Sequence, residues 1–391
     1  MKRLMIIALV IGLLSGCQTK NDQNIQAHQR WSGARAAIVC SLAEEHLKAG
    51  DLEKARDAAL RSIQLDQNNL QARILLAKVL VEQGQYAVAI AELRIAEILA
   101  QDNAEVTYLL GVAQEKRGEY VEALKHYSRA RALDPSQDAY VAASAEVLTT
   151  MGKPAQGLEL LEARLDRGDV SPLLQALAGE LAMLVGRYDQ AVQFYRHCLD
   201  ADPQDPLARE GIAKAYYFAR RYTHALKALE ELAAEPPYRA RTLWVYLMIG
   251  DSHMALQRPS KARDAYQTAI RIDPDSAPVW KALGRACLTL GDVNGASAAA
   301  RKALILGGDS LEAAVVLAYG MMCRGKLDQA AAILDDQARK HPDDPTVLCM
   351  LGQCYQRMGR KDRATSCYQK VLRAQPQHPL ARTLLSAVEL K

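Results

Sequence analysis

Apolar and polar positions along this chain follow a helical period rather than strand alternation, and the pattern recurs. Between Ala104 and Gln137, in AEVTYLLGVAQEKRGEYVEALKHYSRARALDPSQ, one apolar-periodic segment carries Leu110-Gly111 and ends at Gly118. A second segment opens with Tyr120 and Ala123, continues through Tyr127 and Ala130, and stops at Asp134-Pro135. This pattern predicts two amphipathic helices of about three turns each, separated by a glycine. A pair of that size cannot bury its own apolar faces, so it requires neighbours on both sides.

The neighbours are in the sequence, in a register of 34 residues from Ala36 onward. Turn glycines fall at Gly50, Gly84, Gly118, Gly152 and Gly186, then at Gly291, Gly325 and Gly359. Glycine suits these positions because the first helix of a pair ends in the left-handed conformation, which costs other residues about 1 kcal/mol. Where the two helices cross most closely the first offers only Gly or Ala, from Ala43, Ala77 and Gly111 through Gly250 and Gly284 to Gly352. The second helix answers with Ala55, Ala89 and Ala123 through Ala330 and Ala364, so the helix axes can approach closely. A further layer holds larger residues, including Tyr127, Leu161, Tyr195, Tyr266, Leu334 and Tyr368, and proline closes six units, as at Pro135 and Pro376.

These small, aromatic and proline positions at this period resemble the tetratricopeptide repeat. Ten units start at residues 36, 70, 104, 138, 172, 206, 243, 277, 311 and 345. The resemblance covers 36–378 and implies an all-α fold, a right-handed α-solenoid whose first helices line a concave groove. Residues 379–391, PLARTLLSAVELK, read as a last amphipathic helix capping the tenth unit. The register breaks once: Pro236-Pro237 ends the sixth unit, and Ala240, Arg241 and Thr242 are extra. Turn glycine is missing on either side, where Arg220 and Gln257 stand. A seam near 236–242 is therefore expected between repeats one to six (36–242) and seven to ten (243–378). The fourth unit also departs, with Pro154 after its turn and Arg164 at a usually small position.

The chain begins differently. Lys2 and Arg3 precede an apolar run from Leu4 to Leu14, too short to span a bilayer as a helix. It ends Leu14-Ser15-Gly16-Cys17, which resembles the lipobox of bacterial lipoproteins. That resemblance implies a signal peptide over 1–16, cleaved before a lipid-modified Cys17. Gln18 follows, in place of the aspartate that retains such proteins at the inner membrane, so the outer membrane facing the periplasm is expected. Polar, Gln/Asn-rich residues after Cys17 make 17–35 a flexible tether, with a reach of roughly 20–25 Å as a random coil.

Composition removes several function classes. Net charge is +4; leaving out Lys2 and Arg3 from the 49 basic residues, against 45 acidic, gives +2. That is no electrostatic case for nucleic acid. There is no phosphate-cradling glycine loop, zinc-binding His-Glu-x-x-His or nucleophile elbow. The eight histidines are scattered, and His253 takes a packing position as a satisfied core residue. Cys198, Cys287, Cys354 and Cys367 fall on buried repeat positions, and Cys323 and Cys349 on groove positions too far apart to bridge. No metal, cofactor or catalytic role is expected, and no unassigned stretch is long enough for a catalytic domain.

The two resemblances together imply a membrane-anchored scaffold for other envelope proteins or peptide segments, and similar lipid-anchored repeat proteins serve assembly of a pilus or secretion system. Recruitment of cell-wall enzymes and a purely structural spacer are the alternatives. By resemblance, one first-helix row projects into the groove: Leu47, Val81, Glu115, Thr149, Met183, Tyr217, Met254, Leu288, Met322 and Gln356. Its middle members are large and apolar, and methionine suits adaptable binding surfaces. Leu184, Phe218, Trp244, Leu247, Val315 and Tyr319 widen the stripe, and Lys214, Lys281 and Arg285 are placed to take an acidic flank. The same row could instead pack between neighbouring first helices.

Overall fold

A computed structural model describes residues 30–168, 171–235, 242–307 and 309–389. The signal segment, Cys17, most of the tether and nearly all of the 236–242 seam lie outside the described residues. Every regular element described is a helix, twenty-one in all, and none is long and apolar enough to cross a membrane. The chain divides into two compact units, residues 1–186 and 187–391. That division falls between the two helices of the fifth pair, not at the expected seam.

In the first unit α1 spans 30–48, followed by α2 (Leu52–Leu65), α3 (Leu70–Glu82), α4 (Tyr86–Leu99) and α5 (Ala104–Lys116). Then come α6 (Tyr120–Leu133), α7 (Asp138–Thr150), α8 (Pro154–Leu165) and α9 (Pro172–Val185). Because α1 already includes residue 30, residues 30–35 are helical rather than tether, and the Arg35 guanidinium lies 4.6 Å above the Trp31 ring. The second unit holds α10 (Tyr188–Ala201), α11 (Pro206–Phe218), α12 (Tyr222–Ala234), α13 (Leu243–Ala255), α14 (Pro259–Ile272) and α15 (Ala277–Thr289). It continues with α16 (Val293–Gly307), α17 (Leu311–Cys323), α18 (Leu327–Lys340), α19 (Pro345–Arg357), α20 (Lys361–Ala374) and α21 (Pro379–Glu389).

Within each unit every helix packs on its sequence neighbours, and first helices of successive pairs also touch: α3 on α5 and α7 on α9 in the first, then α13 on α15, α15 on α17 and α17 on α19 in the second. Second helices are held by the first helices beside them. The first helices therefore form the inner layer of each unit and the second helices the outer. The last helix, α21, packs on α20 and α19 through Ala381, Leu384, Leu385 and Val388, covering an apolar face of the tenth pair.

Local chemistry explains the boundaries. Asn69, Asn103, Ser310 and Asp344 accept backbone N–H groups at helix starts, as N-caps do. All eight turn glycines have φ between 74° and 82°. Arg220 and Gln257 take φ of 57° at the two turns that lack glycine, so the repeat imposes the left-handed residue whatever the side chain. The crossing glycines are there for contact: a methyl on Gly111, Gly250 or Gly352 would come within 2.6, 2.3 or 2.4 Å of the ring of Tyr127, Tyr266 or Tyr368. Where Leu161 or Leu334 replaces the tyrosine, the crossing residue is Ala145 or Ala318. All four of those side chains are fully buried.

Candidate functional site

Residues that join one first helix to the next define the inner face, and the two units differ there. In the second unit, Tyr217 on α11 donates its hydroxyl to Asp251 Oδ2 on α13 at 3.1 Å. Tyr266 on α14 donates to Asp251 Oδ1 at 2.7 Å, and Arg285 Nη2 on α15 lies 3.4 Å from the same oxygen. Arg285 Nη1 is 3.5 Å from Glu312 Oε1 on α17, and Lys281 Nζ is 3.6 Å from Glu312 Oε2. Lys214 lies 3.0 Å from Glu210 and 4.4 Å above the Trp244 ring. The result is a ladder in which each cation meets an anion or an aromatic face. Burial, then the Asp251 charge, pushes the Tyr217 hydroxyl up to about 12, so it stays a donor at neutral pH.

An aromatic cluster lies beside the ladder. The Phe218 ring is 5.3 Å from Tyr217, edge-on, and 5.9 Å from Tyr188, stacked; Tyr217 also meets Tyr222 at 6.1 Å. Phe218 is 48% exposed and Tyr319 42%. Tyr217, Trp244, Leu247 and Val315 are half-buried.

Other predicted groove residues are placed differently. Met322 is buried in the core between α17, α18 and α19, not open to a ligand. Met254, Leu288 and Leu247 pack against the core built on α14 to α17, and Val315 against the next. The row position is too deep for a methionine to stay free once the neighbouring first helix lies against it. Lys214, Lys281 and Arg285 are paired within the chain rather than held for an acidic flank. Cys349 is buried, whereas Cys323 is exposed. Met183, half-buried, and Leu184, 65% exposed, belong to the first unit, so the predicted stripe is divided between two bodies. His253 is buried, and its Nδ1 has no hydrogen-bond partner, which corrects the expectation of a satisfied core histidine; loss of water lowers its pKa.

Part of the inner face of the first unit is acidic. Glu115, Glu146 and Glu180 stand on α5, α7 and α9; Glu115 accepts the Tyr127 hydroxyl at 2.6 Å. Among the described residues Glu146 and Glu180 make no ion pair. Partial loss of water, with the charges of Glu115 and Glu180, raises the Glu146 pKa against the opposing pull of Lys116. Nearby, a cavity of about 520 Å³ is lined by Lys78, Glu105, Tyr108, Leu109, Asp134 and Tyr140, and Lys78 pairs with Glu105 at 2.7 Å. The sequence reading missed Asp251, Glu312 and the Glu146–Glu180 row. The signal was available: Glu146, Glu180, Lys214, Asp251 and Arg285 occupy one position in consecutive units.

A family model described as "Cilia and flagella-associated protein 70 C-terminal domain" matches residues 119–391, and a tetratricopeptide-repeat model matches 40–96 and 74–138. This chain belongs to the tetratricopeptide-repeat family. Tetratricopeptide repeats thus account for both units. Among similar curated proteins, mouse tetratricopeptide repeat protein 21A is 23% identical over 61% of this chain, and the match spans only 20% of that protein. The TPR repeat-containing protein of Treponema pallidum is 24% identical over 60% of this chain and 29% of its own length. The type IV pilus assembly protein PilF of Pseudomonas aeruginosa is 27% identical over 49% of this chain and 76% of its own. Two solved tetratricopeptide-type folds align with TM-scores of 0.44 and 0.43. The Cut9-Hcn1 structure covers 90% of this chain and 96% of its own, at 14% identity, and YrrB, described as a TPR protein with an unusual peptide-binding site, covers 48% and 96%, at 17%.

Proposed function

We propose that this tetratricopeptide-repeat protein is a lipid-anchored adaptor of the bacterial envelope, held through Cys17 in the outer membrane and facing the periplasm. It gathers partner proteins by binding an apolar or aromatic segment on the inner face of its second unit. The observation that carries the binding role is the exposure of Phe218 and Tyr319 on that face, beside a charge ladder that is already satisfied. Groups whose charges are matched within the chain offer little to a charged ligand, whereas exposed aromatic rings gain from a partner that removes them from water. The ladder gives the face rigidity, and the rings give it contact area. Pilus assembly is the envelope process this reading favours, since PilF, matched over 76% of its length, is described as acting there.

The anchor and the face are tested separately. A Cys17→Ser chain should lose lipid labelling and processing at that cysteine; persistent labelling would place the anchor elsewhere. For the face, a photo-crosslinking residue is placed at Phe218, at Tyr319 and, as a control, at Ile305 on α16, which is 72% exposed on the outer layer. Membrane preparations should give one shared crosslinked partner from 218 and 319 and not from 305. The same products from all three positions would refute inner-face binding while leaving the anchor untouched.

A further inference from the structure

Between the outer helices α6 and α8 of the first unit lies a cavity of about 310 Å³, with Val141 of α7 among its lining residues. Three of its walls are arginines: Arg131, Arg164 and Arg167. Each stands at a repeat position that is otherwise mostly small or apolar. At the place of Arg164 other units carry Ser62, Ala96, Ala130, Cys198, Ala269 or Ala303, all buried. At the place of Arg131 they carry Ile63, Leu165, Leu199, Ile270, Leu304 or Leu372, and at that of Arg167 they carry Leu65, Leu99, Leu133, Ile272 or Leu306. Three guanidinium groups have thus replaced three packing residues at one junction of the array.

Arg164 pairs with Asp138 Oδ1 at 2.8 Å and donates to the Gly168 carbonyl at 3.1 Å. Among the described residues Arg131 and Arg167 make no ion pair and no side-chain hydrogen bond. Arg131 is half-buried; its loss of water and the nearby Arg167 charge both lower its pKa, so the two cations oppose each other. An equivalent junction in the second unit, between α16 and α18, shows how this chain treats a cation there. Its cavity carries Leu304, Gln337 and Lys340 at the same three positions, and Lys340 is closed off by Asp309 at 2.9 Å and Asp336 at 3.0 Å. The first junction carries more positive charge, and among the described residues no carboxylate closes off Arg131 or Arg167.

We propose that the α6–α8 cavity is a binding site for a phosphate group, held between Arg131 and Arg167 with Arg164 fixed behind them by Asp138. The planar guanidinium fork matches phosphate oxygens, and two unpaired cations match a phosphate monoester, which carries close to two negative charges at neutral pH. A single carboxylate would leave one of them unmatched. The volume suits one charged head group rather than a polypeptide chain. Free phosphorylated solutes and phospholipid head groups share this chemistry. The site lies on the outer layer of the first unit, whereas the face proposed to hold protein partners belongs to the second, so either reading can fail without the other.

The test uses the full chain and an Arg131→Gln, Arg167→Gln variant, with Arg271→Gln, Lys302→Gln in the second unit as the control for general basicity. Titration with inorganic phosphate should raise the melting temperature of the wild type and the control, and leave the double variant at least tenfold less sensitive. Vesicles of phosphatidic acid with phosphatidylcholine, against phosphatidylcholine alone, form the second arm. A preference of wild type and control for phosphatidic acid that the Arg131, Arg167 variant loses identifies a lipid source; a response to phosphate alone identifies a soluble one. Without ligand the variant should melt no lower than the wild type, because repelling charges have been removed. If it is fully folded and responds to phosphate and to vesicles as the wild type does, or if the wild type responds to neither, the proposal is overturned.

Discussion

The inner faces of the two units place charged residues at the same repeat positions. Lys78 in the first pairs with Glu105 as Arg285 in the second pairs with Glu312, but beyond Lys78 the two units resolve them differently. In the first unit Glu146 and Glu180 follow one another a repeat apart, and like charges accumulate without partners. In the second, Asp251 and Arg285 occupy that position in succession, and Tyr217, Tyr266 and Glu312 complete a closed ladder around them. The repeat backbone is common to both. Whether a row of first helices repels or cross-links itself is decided by the order of signs along the register, one residue in every 34 or so.

Breaking the ladder should have the largest effect. Asp251→Ala removes the acceptor of two tyrosine hydroxyls, one of them on the fully buried Tyr266, and the partner of Arg285. A loss of about 2–3 kcal/mol is expected, since hydrogen bonds to charged groups and orphaned buried donors each cost in that range. Chemical denaturation measures it. Adding Tyr266→Phe should cost less in the Asp251→Ala background than in the wild type, because the orphaned hydroxyl is then gone. Equal costs in both backgrounds would mean the ladder is not a unit.

The array was legible in the sequence because its determinants are local and recur. Gly111 faces Tyr127 and Gly250 faces Tyr266, each within one helix pair, so a pattern read along 34 residues captures the contact. At 220 and 257 the missing glycines suggested weakened turns beside a seam, yet both positions keep the left-handed turn. Pairings between units of the array were not legible: Asp251 meets Tyr217 from 34 residues back and Arg285 from 34 ahead, and nothing within one unit chooses between them. Depth was missed for the same reason. Met322 looks open on a single helix, and it is buried only because the helices of its own and the following pair close over it. The division after Gly186 has no local signal, since Gly186 has the same turn chemistry as the glycines that do not divide the chain.

The turns sharpen the comparison at a smaller scale. Glycine serves every turn within a helix pair of the first unit, whereas Arg220 and Gln257 hold φ of 57° at two such turns in the second. Arg220→Gly and Gln257→Gly should each stabilise the second unit by roughly 0.5–1 kcal/mol, the usual relief of a non-glycine residue held left-handed. Unchanged or lower stability would show that those side chains contribute more than the strain costs.

The smallest effect belongs to the acidic row, and its sign is the informative part. Glu146 has its folded-state pKa raised, so the folded protein holds that proton more tightly than the unfolded chain. Its contribution is therefore fully favourable below the ordinary glutamate range and is lost as pH rises through the raised value. A Glu146→Gln chain should match the wild type in acid and become the more stable of the two as pH rises to neutrality. A wild type that gains on the variant with rising pH would mean that Glu146 has a partner.

The central claim is that the second unit binds through exposed aromatic surface because its charges are already matched. The direct measurement is the affinity of the full chain for the partner crosslinked at Phe218, titrated from low to high ionic strength. Screening shortens from about 10 Å at 0.1 M salt to about 3 Å at 1 M, so exposed charge–charge recognition weakens steeply over that range. We predict an affinity that changes less than about threefold, and that a Phe218→Ala, Tyr319→Ala chain loses at least tenfold at every salt concentration. An affinity that collapses with salt, with the aromatic residues dispensable, would contradict the account.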